Sequence, residues 1–377
     1  MFRFILLDLL LHAYIALRLL PAMPGGRWAS GVTLAVIAAS AGLLPVGLGA
    51  RRVRRQPLSD RLAFAGLFAA GGFSSLFVLT LIRDVLLVAG LLLPAAPWSN
   101  GSYAELRRLT AAGVPVLAVL FTIVGFFNAR RRARVRRVDV PIARLPDALH
   151  GFTIVQVSDL HVGPTIKRGY VDAVVDAVNA LRPDLIAVTG DLVDGSVRDL
   201  AAHTLPLQRM AARHGAYFVT GNHEYYSGAH GWIAELRRLG LRVLLNEHVV
   251  LDHEGERVVL AGVTDYGAHR FDAAHASDPG RSVAGAPADA VRVLLAHQPR
   301  SAFEAERAGF HLQLSGHTHG GQFLPWNFFV RLQQPFTAGL HRLGELWVYV
   351  SRGTGYWGPP KRLGAPSEIT YLRLVPA

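Results

Sequence analysis

Cysteine is absent from this chain of 377 residues. That excludes disulfides, thiolate metal ligands, iron–sulfur clusters and cysteine nucleophiles, so any metal site must be built from His, Asp, Glu and Asn. Lysine is almost as scarce, with only Lys167 and Lys361, and the remaining basic residues are arginines. In so alanine-rich a chain this is read as compositional bias and given no functional weight. No internal repeat or low-complexity segment is present. A nucleic-acid footprint is also missing from the second part of the chain. The formal charge is +12, yet residues 1–150 hold eighteen Lys and Arg against six Asp and Glu, while residues 151–377 hold twenty-one of each. The basic excess belongs wholly to the first part, and no nucleic-acid partner is expected.

Long apolar runs fill that first part. Residues 4–20, 28–49, 62–82 and 111–128 each approach the ~20 residues needed to cross the hydrocarbon of a bilayer. The first run is interrupted by Asp8, His12 and Arg18, and the last tolerates Pro115 near its start. Val85–Pro97 is too short to cross alone; it either extends a tilted third helix or lies in the interface. Arg51, Arg52, Arg54, Arg55 and Arg61 follow the second run, and Arg130, Arg131, Arg132, Arg134, Arg136 and Arg137 follow the fourth. The other loops carry few charges. By the positive-inside rule the N-terminus is cytoplasmic, four helices cross, and the rest of the chain faces the cytoplasm from the inner (cytoplasmic) membrane. Arg83 and Asp84 are expected near a helix end, and Asp8 and Arg18 within reach of headgroups.

A membrane region of residues 1–137 is thus expected to precede a soluble domain of residues 138–377. Strands and helices alternate after Val138: Phe152–Val157, a helix over Tyr170–Leu181, Leu185–Val188, a helix near Leu200–Ala212, and Ala216–Val219. That alternation predicts an α/β domain with a largely parallel sheet. Arg242–Leu245, Val249–Asp252 and Arg257–Ala261 are short strands between turn residues, which predicts a mixed or antiparallel second sheet. Val291–Ala296, Leu312–Leu314, Leu346–Val350 and Ile369–Leu374 complete the strands.

Chemistry-bearing residues follow these apolar runs directly. Ile154–Ser158 leads to Asp159-Leu160-His161, and Leu185–Val188 leads to Thr189-Gly190-Asp191-Leu192-Val193-Asp194. Tyr217–Gly221 leads to Asn222-His223-Glu224, Val293–Ala296 leads to His297, and Leu312–Ser315 leads to Gly316-His317-Thr318-His319. Singly, each is an ordinary turn, a helix cap or a core histidine. A parallel sheet gathers its strand ends at one edge, so the five together converge on one place. Oxygen and imidazole donors without thiolate suit Mn²⁺, Fe or Zn²⁺ without choosing among them. The remaining histidines, including His203, His214, His230, His253, His269 and His275, show no ligand spacing and are read as surface residues.

The ordered blocks Asp-x-His, Gly-Asp-x-x-Asp, Gly-Asn-His-Glu, a lone His and Gly-His-x-His resemble the calcineurin-like metallophosphoesterase family over residues 152–321. The run Tyr349–Gly355 resembles the family's closing strand and glycine turn, and the layout is similar to bacterial members with N-terminal membrane helices. The resemblance implies a four-layer αββα sandwich, two mixed β-sheets flanked by helices, preceded by an α-helical transmembrane region. It implies two divalent metal ions, one held by Asp159, His161, Asp191 and His319 and the other by Asp191, Asn222, His297 and His317. Asp191 then bridges them. A metal-activated hydroxide would attack phosphorus in line. His223 is the candidate acid for the leaving oxygen, or else an orienting neighbour of the ligands. Asp194 and Glu224 are expected to orient ligands or cap helices.

The expected substrate is a phosphomonoester, phosphodiester or pyrophosphate, with anchoring favouring a lipid-linked one. Some membrane-bound relatives hydrolyse UDP-2,3-diacylglucosamine, so the resemblance points there. A soluble phosphoester and a catalytically silent membrane-bound scaffold are the alternatives. Phe323–Val330, next to the last histidine block, is expected either to meet a bilayer or acyl chains or to form a core strand and loop. Oligomeric state is left open.

Overall fold

The computed structural model describes residues 2–53, 55–92 and 102–377. They cluster into two compact units, Met1–Arg130 with Gly358–Leu363, and Arg131–Trp357 with Gly364–Ala377.

The first unit contains α1 (Phe2–Leu19), α2 (Gly26–Gly49), α3 (Leu58–Leu92) and α4 (Ser102–Arg130), all long and apolar enough to cross a membrane. Val85–Leu92 continues α3, which at 35 residues is about 52 Å long; residues 93–97 of the expected short segment lie outside the described residues. Several polar side chains in these helices pair with one another, and Arg83 and Asp84 lie well inside α3 rather than near a helix end, which corrects the expectation for that pair. Arg18 Nε and Nη2 donate to Asp84 at 2.8 and 3.0 Å, and Tyr14 Oη donates to the same carboxylate at 2.6 Å. Arg83 is buried inside α3 and pairs with Asp84 at 3.3 Å. Asp8 is buried, and His12 bonds its carbonyl on one side and Ser40 Oγ on the other. Pairing between helices removes the cost of an ionised group in hydrocarbon. Gly47 and Gly66 let α2 and α3 touch, since a Cβ on either would collide with the other's backbone. The loop Gly358–Leu363 belongs here too, outside the expected boundary: Lys361 Nζ donates to Gly71 O at 2.7 Å and to Ser75 Oγ at 2.5 Å.

The second unit begins with β1 (Arg134–Ile142), β2 (Thr153–Val157), α5 (Arg168–Ala180), β3 (Leu185–Val188), α6 (Val197–Thr204), β4 (Ala216–Phe218), α7 (Asn222–Ser227) and α8 (Ala229–Arg238). It continues with β5 (Arg242–Val243), β6 (Glu247–His253), β7 (Glu256–Gly262), α9 (Pro279–Ser282), β8 (Val291–Leu295), α10 (Ala302–Arg307) and β9 (Leu312–Ser315). α11 (Trp326–Gln333), β10 (Gly339–Leu343), β11 (Leu346–Val350) and β12 (Glu368–Pro376) complete it.

Two six-stranded mixed sheets result, in the orders β1-β12-β2-β3-β4-β5 and β10-β11-β9-β8-β7-β6. Ile154, Leu185 and Leu372 of the first pack against Leu260, Val293 and Leu314 of the second in one buried cluster. Helices flank the sheets. α5 shows why: Val171, Val174, Val175 and Val178 recur at helical spacing and are all buried. The expected architecture of two mixed sheets flanked by helices is thus observed. One boundary differs. The first strand starts at Arg134, four residues before Val138, because Arg134–Ile142 pairs in parallel with Glu368–Pro376. Its arginines have local partners, Arg137 lying 4.5 Å over the Tyr371 ring and Arg136 3.9 Å from Glu368.

Candidate metal centre

Strands β2, β3 and β4 are parallel neighbours in one sheet, and β8 and β9 are parallel neighbours in the other. Their C-terminal ends therefore deliver the five residue blocks to one edge. Asp159, His161, Asp191, His317 and His319 all have positive φ, between 51° and 68°. Outside glycine this conformation is costly, and it persists where surrounding bonds over-determine it. Here Asp159 N donates to Gly190 O, His161 N to Asp191 O, and His317 N to Asp159 Oδ1, at 2.9–3.1 Å.

The expected ligands fall into two groups with metal-ligating geometry, Asp159 with His161 and His319, and Asp191 with His297 and His317; His161 also groups with Asp194 and His223. In the first, His161 Nε2 and His319 Nε2 are 3.0 Å apart and His319 Nε2 is 3.4 Å from Asp159 Oδ1. In the second, His297 Nε2 lies 3.1 Å from Asp191 Oδ2 and 3.3 Å from His317 Nδ1. Asp191 Oδ2 faces both groups, being 3.9 Å from His161 Nε2 as well. Asn222, at the start of α7, lines one cavity together with His161, Asp191, His317 and His319.

Tautomers make the metal fit testable. His297 Nδ1 must donate to the Thr189 carbonyl at 2.8 Å, and His161 Nδ1 to the Asp194 carboxylate at 3.1 Å. In the neutral rings both Nε2 atoms then carry lone pairs, aimed at Asp191 Oδ2 and at another imidazole. Asp159 Oδ2 and Asn222 Oδ1 are buried with no hydrogen-bond partner among the described residues. Lone pairs pointed at lone pairs in a buried place call for positive charge, either a proton or a metal ion, and these oxygen and imidazole donors fit divalent metal ions. Two glycines clear the space, since a Cβ on Gly221 would strike the Asp191 carboxylate and one on Gly316 would strike Asp159.

The surrounding electrostatics follow from burial and from these acids. Burial alone would lower the His297 pKa, but Asp191 and Asp159 raise it well above the usual histidine range. Burial, helped by the His297 charge, pushes His317 down to about 3. Burial would raise Asp194, yet His161 and His223 hold it far below an ordinary carboxylate. His223 Nδ1 is 2.5 Å from Asp194 Oδ1, its backbone N donates to Asp191 Oδ1 at 2.9 Å, and its ring faces the cavity. Burial opposes its charge, but Asp191 and Asp194 lift its pKa to about 9.

All eight residues expected at the site, the seven ligand candidates and His223, are gathered at this edge. Several neighbours had not been singled out. Tyr226 lines the cavity and packs 5.2 Å from His223; its signal was the Tyr225-Tyr226 pair following the Asn-His-Glu block. Trp357 and Gln322 line the far side, where Gln322 Nε2 donates to Trp357 O at 2.8 Å. Phe323–Val330 forms no core strand: Phe323–Pro325 make a turn in which Phe323 is buried, and Trp326 then opens the short helix α11, of which no residue is buried.

A buried His, Asp and Asn donor set at the carboxyl edge of paired mixed sheets defines a metal-binding α/β protein. A profile of the calcineurin-like phosphoesterase domain matches residues 152–321. A Bos taurus protein named "transmembrane protein with metallophosphoesterase domain" is 41% identical over 292 residues, covering 74% of this chain and 65% of its own length. A Caenorhabditis elegans protein named as a metallophosphoesterase is 32% identical over 333 residues, covering 85% of this chain and 69% of its own. A Campylobacter jejuni protein, also named a metallophosphoesterase, is 36% identical over 271 residues, covering 71% of this chain and 70% of its own. The chain belongs to the calcineurin-like metallophosphoesterase family. It spans slightly less than two thirds of the bovine relative, and 64% of a Danio rerio protein of the same name. Among the described residues four helices are long and apolar enough to cross a membrane, and the bovine and Danio rerio relatives are named transmembrane proteins.

Proposed function

We propose that this protein is a membrane-anchored phosphoesterase that uses two divalent metal ions to hydrolyse a lipid-linked phosphoester or pyrophosphate. The observation that carries the reading is Asp191 Oδ2, which faces both ligand groups beside a cavity of about 310 Å³. Asp159, His161, Asp191 and His319 would hold one ion, and Asp191, Asn222, His297 and His317 the other. Bound ions supply Lewis acidity toward a phosphoryl oxygen and lower the pKa of water. The chain's own groups do the rest. Asp194 accepts from His223 Nδ1 and so aims Nε2 at the cavity, where it can pass a proton to the leaving oxygen. Phe323, Trp326, Phe329, Val330 and Trp357 give the cavity an apolar wall that keeps water out.

That wall supports the lipid assignment. On and beside α11, Leu324, Trp326, Phe328, Phe329 and Leu332 are exposed, Leu332 at 82%. So large an exposed apolar patch beside a phosphate-cleaving site suits acyl chains or a bilayer surface. UDP-2,3-diacylglucosamine, with two acyl chains and a pyrophosphate, meets both halves of such a site. Trp326→Ala with Phe329→Ala is expected to lower kcat/KM on a lipid phosphodiester by about 10–100-fold, the worth of one or two lost aromatic contacts. Bis-p-nitrophenyl phosphate turnover should be spared. An equal loss on both substrates would remove the lipid reading.

The arginine clusters at residues 51–61 and 130–137 support placing the domain on the cytoplasmic side of the inner membrane. A fluorescent reporter that matures only in the cytoplasm is expected to light up when fused after residue 377. Activity of an export-dependent reporter at that position would reverse the topology.

A further inference from the structure

Among the described residues, a group of side chains away from the catalytic centre also has the geometry of a metal site. His230 near the start of α8, and Asp272 and His275 in the loop after β7, each place one donor atom within 4.8 Å of the others. His230 Nε2 is 3.1 Å from Asp272 Oδ2, and His275 Nε2 is 4.0 Å from the same oxygen. Ligands of a tetrahedral ion with bonds of about 2.0–2.1 Å lie about 3.3 Å apart. The two distances bracket that value, so small side-chain rotations close the site.

The supports behind the donors are already in place. Asp272 Oδ1 accepts from Ala274 N at 2.9 Å, which leaves Oδ2 turned toward the imidazoles. His275 Nδ1 is 2.8 Å from Tyr225 Oη, and its carbonyl accepts from Thr264 Oγ1 at 2.8 Å. With Nδ1–H donating to the phenol oxygen, His275 Nε2 presents its lone pair to the cluster, as a ligating histidine fixed by its other nitrogen does. Asp272 and His275 are partly buried while the His230 side chain is 75% exposed, which leaves an entry path and room for water as a further ligand.

We infer that His230, Asp272 and His275 form a third divalent-cation site, with zinc the best-suited ion for two imidazoles and one carboxylate. Occupancy would tie α8 to the loop carrying Phe271. Phe271 packs 5.8 Å from Tyr225 and 5.6 Å from Tyr226, and Tyr226 packs on His223. The ion would thus steady the aromatic rim of the catalytic cavity without touching substrate.

The test is a difference in metal content, which does not depend on how many ions the catalytic centre takes. The full chain in detergent, its His230→Ala variant and its Asp272→Asn variant are dialysed to equilibrium against zinc, and zinc per chain is measured. His230 is exposed and Asn can keep the bond from Ala274 N, so both variants should fold. Each is expected to bind one zinc fewer than the unaltered chain. Equal zinc content in the unaltered chain and both variants would overturn the proposal.

Discussion

Asp191→Ala is expected to empty both proposed ion positions and to lower Mn²⁺-dependent turnover of bis-p-nitrophenyl phosphate by about 10³-fold or more. The scale is the several kcal/mol of transition-state stabilisation that bound ions supply. Position is the reason. Asp191 Oδ2 lies 3.1 Å from His297 Nε2 and 3.9 Å from His161 Nε2, so removing it takes a donor from each group. His319→Ala, whose Nε2 lies 3.4 Å from Asp159 Oδ1 and 3.0 Å from His161 Nε2, should weaken mainly the ion of that group. His223→Ala separates chemistry from binding. It should keep both ions yet lose about 10²–10⁴-fold on an ester with an alkoxide leaving group, and far less on one releasing p-nitrophenolate. Metal analysis and paired kinetics decide these points. Asp191→Ala that retains one tightly held ion would remove the bridging role, and equal losses on the two esters would reduce His223 to an orienting residue.

The ligand edge was legible because parallel sheets obey a simple rule. Ile154–Val157, Leu185–Val188 and Val293–Leu295 are short apolar runs buried on both faces, and a polar residue after such a run must sit where the sheet ends. Periodicity could not show which sheet each strand enters, or that β8 and β9 would face β2 and β3 across the core. That placement depends on long-range pairing. The positive φ of the ligand residues was hidden for the same reason, being imposed by neighbours such as the Gly190 and Asp191 carbonyls.

Where partners come from distant chain segments, local pattern misleads. Arg134–Arg137 reads as the tail of a basic cluster, but β12 supplies Glu368 and Tyr371 to receive two of its arginines, and the run becomes strand. Arg83 and Asp84 look like a helix end because isolated charges are costly in hydrocarbon, whereas Arg18 and Tyr14 from α1 complete the group. His230 lies 42 residues from Asp272, too far for any ligand motif, and only the packing of α8 against the loop after β7 brings their side chains to 3.1 Å. Lys361 sits in a glycine- and proline-rich stretch that suggests an exposed loop, yet it is buried against α3.

Glu224 illustrates a residue whose type was readable and whose weight was not. Its carboxylate is fully buried and accepts three backbone N–H groups: Gly221 at 2.7 Å, Leu192 at 2.8 Å and Asp191 at 3.0 Å. One side chain thus caps α7 and stitches the loop after β3 to the loop after β4, the two segments that present Asp191 and Asn222. Burial and the Asp191 charge push its carboxyl up, while the Gly221 and Leu192 N–H groups pull the other way and favour the ionised form that accepts all three bonds. Glu224→Ala leaves three buried donors unsatisfied at about 1–3 kcal/mol each before relaxation, so a net loss of about 3–5 kcal/mol is expected. For a domain of this size that lowers the unfolding midpoint by about 10 °C. Metal affinity should fall about 10–100-fold as well, because Asp191 loses the anchor of its own backbone. Glu224→Gln is expected to behave almost as badly, since its amide turns a donor toward one of the donors it must receive. Thermal unfolding and metal titration of both variants check this, and a Glu224→Ala chain that binds metal as tightly as the unaltered protein would show that the two loops hold Asp191 without it.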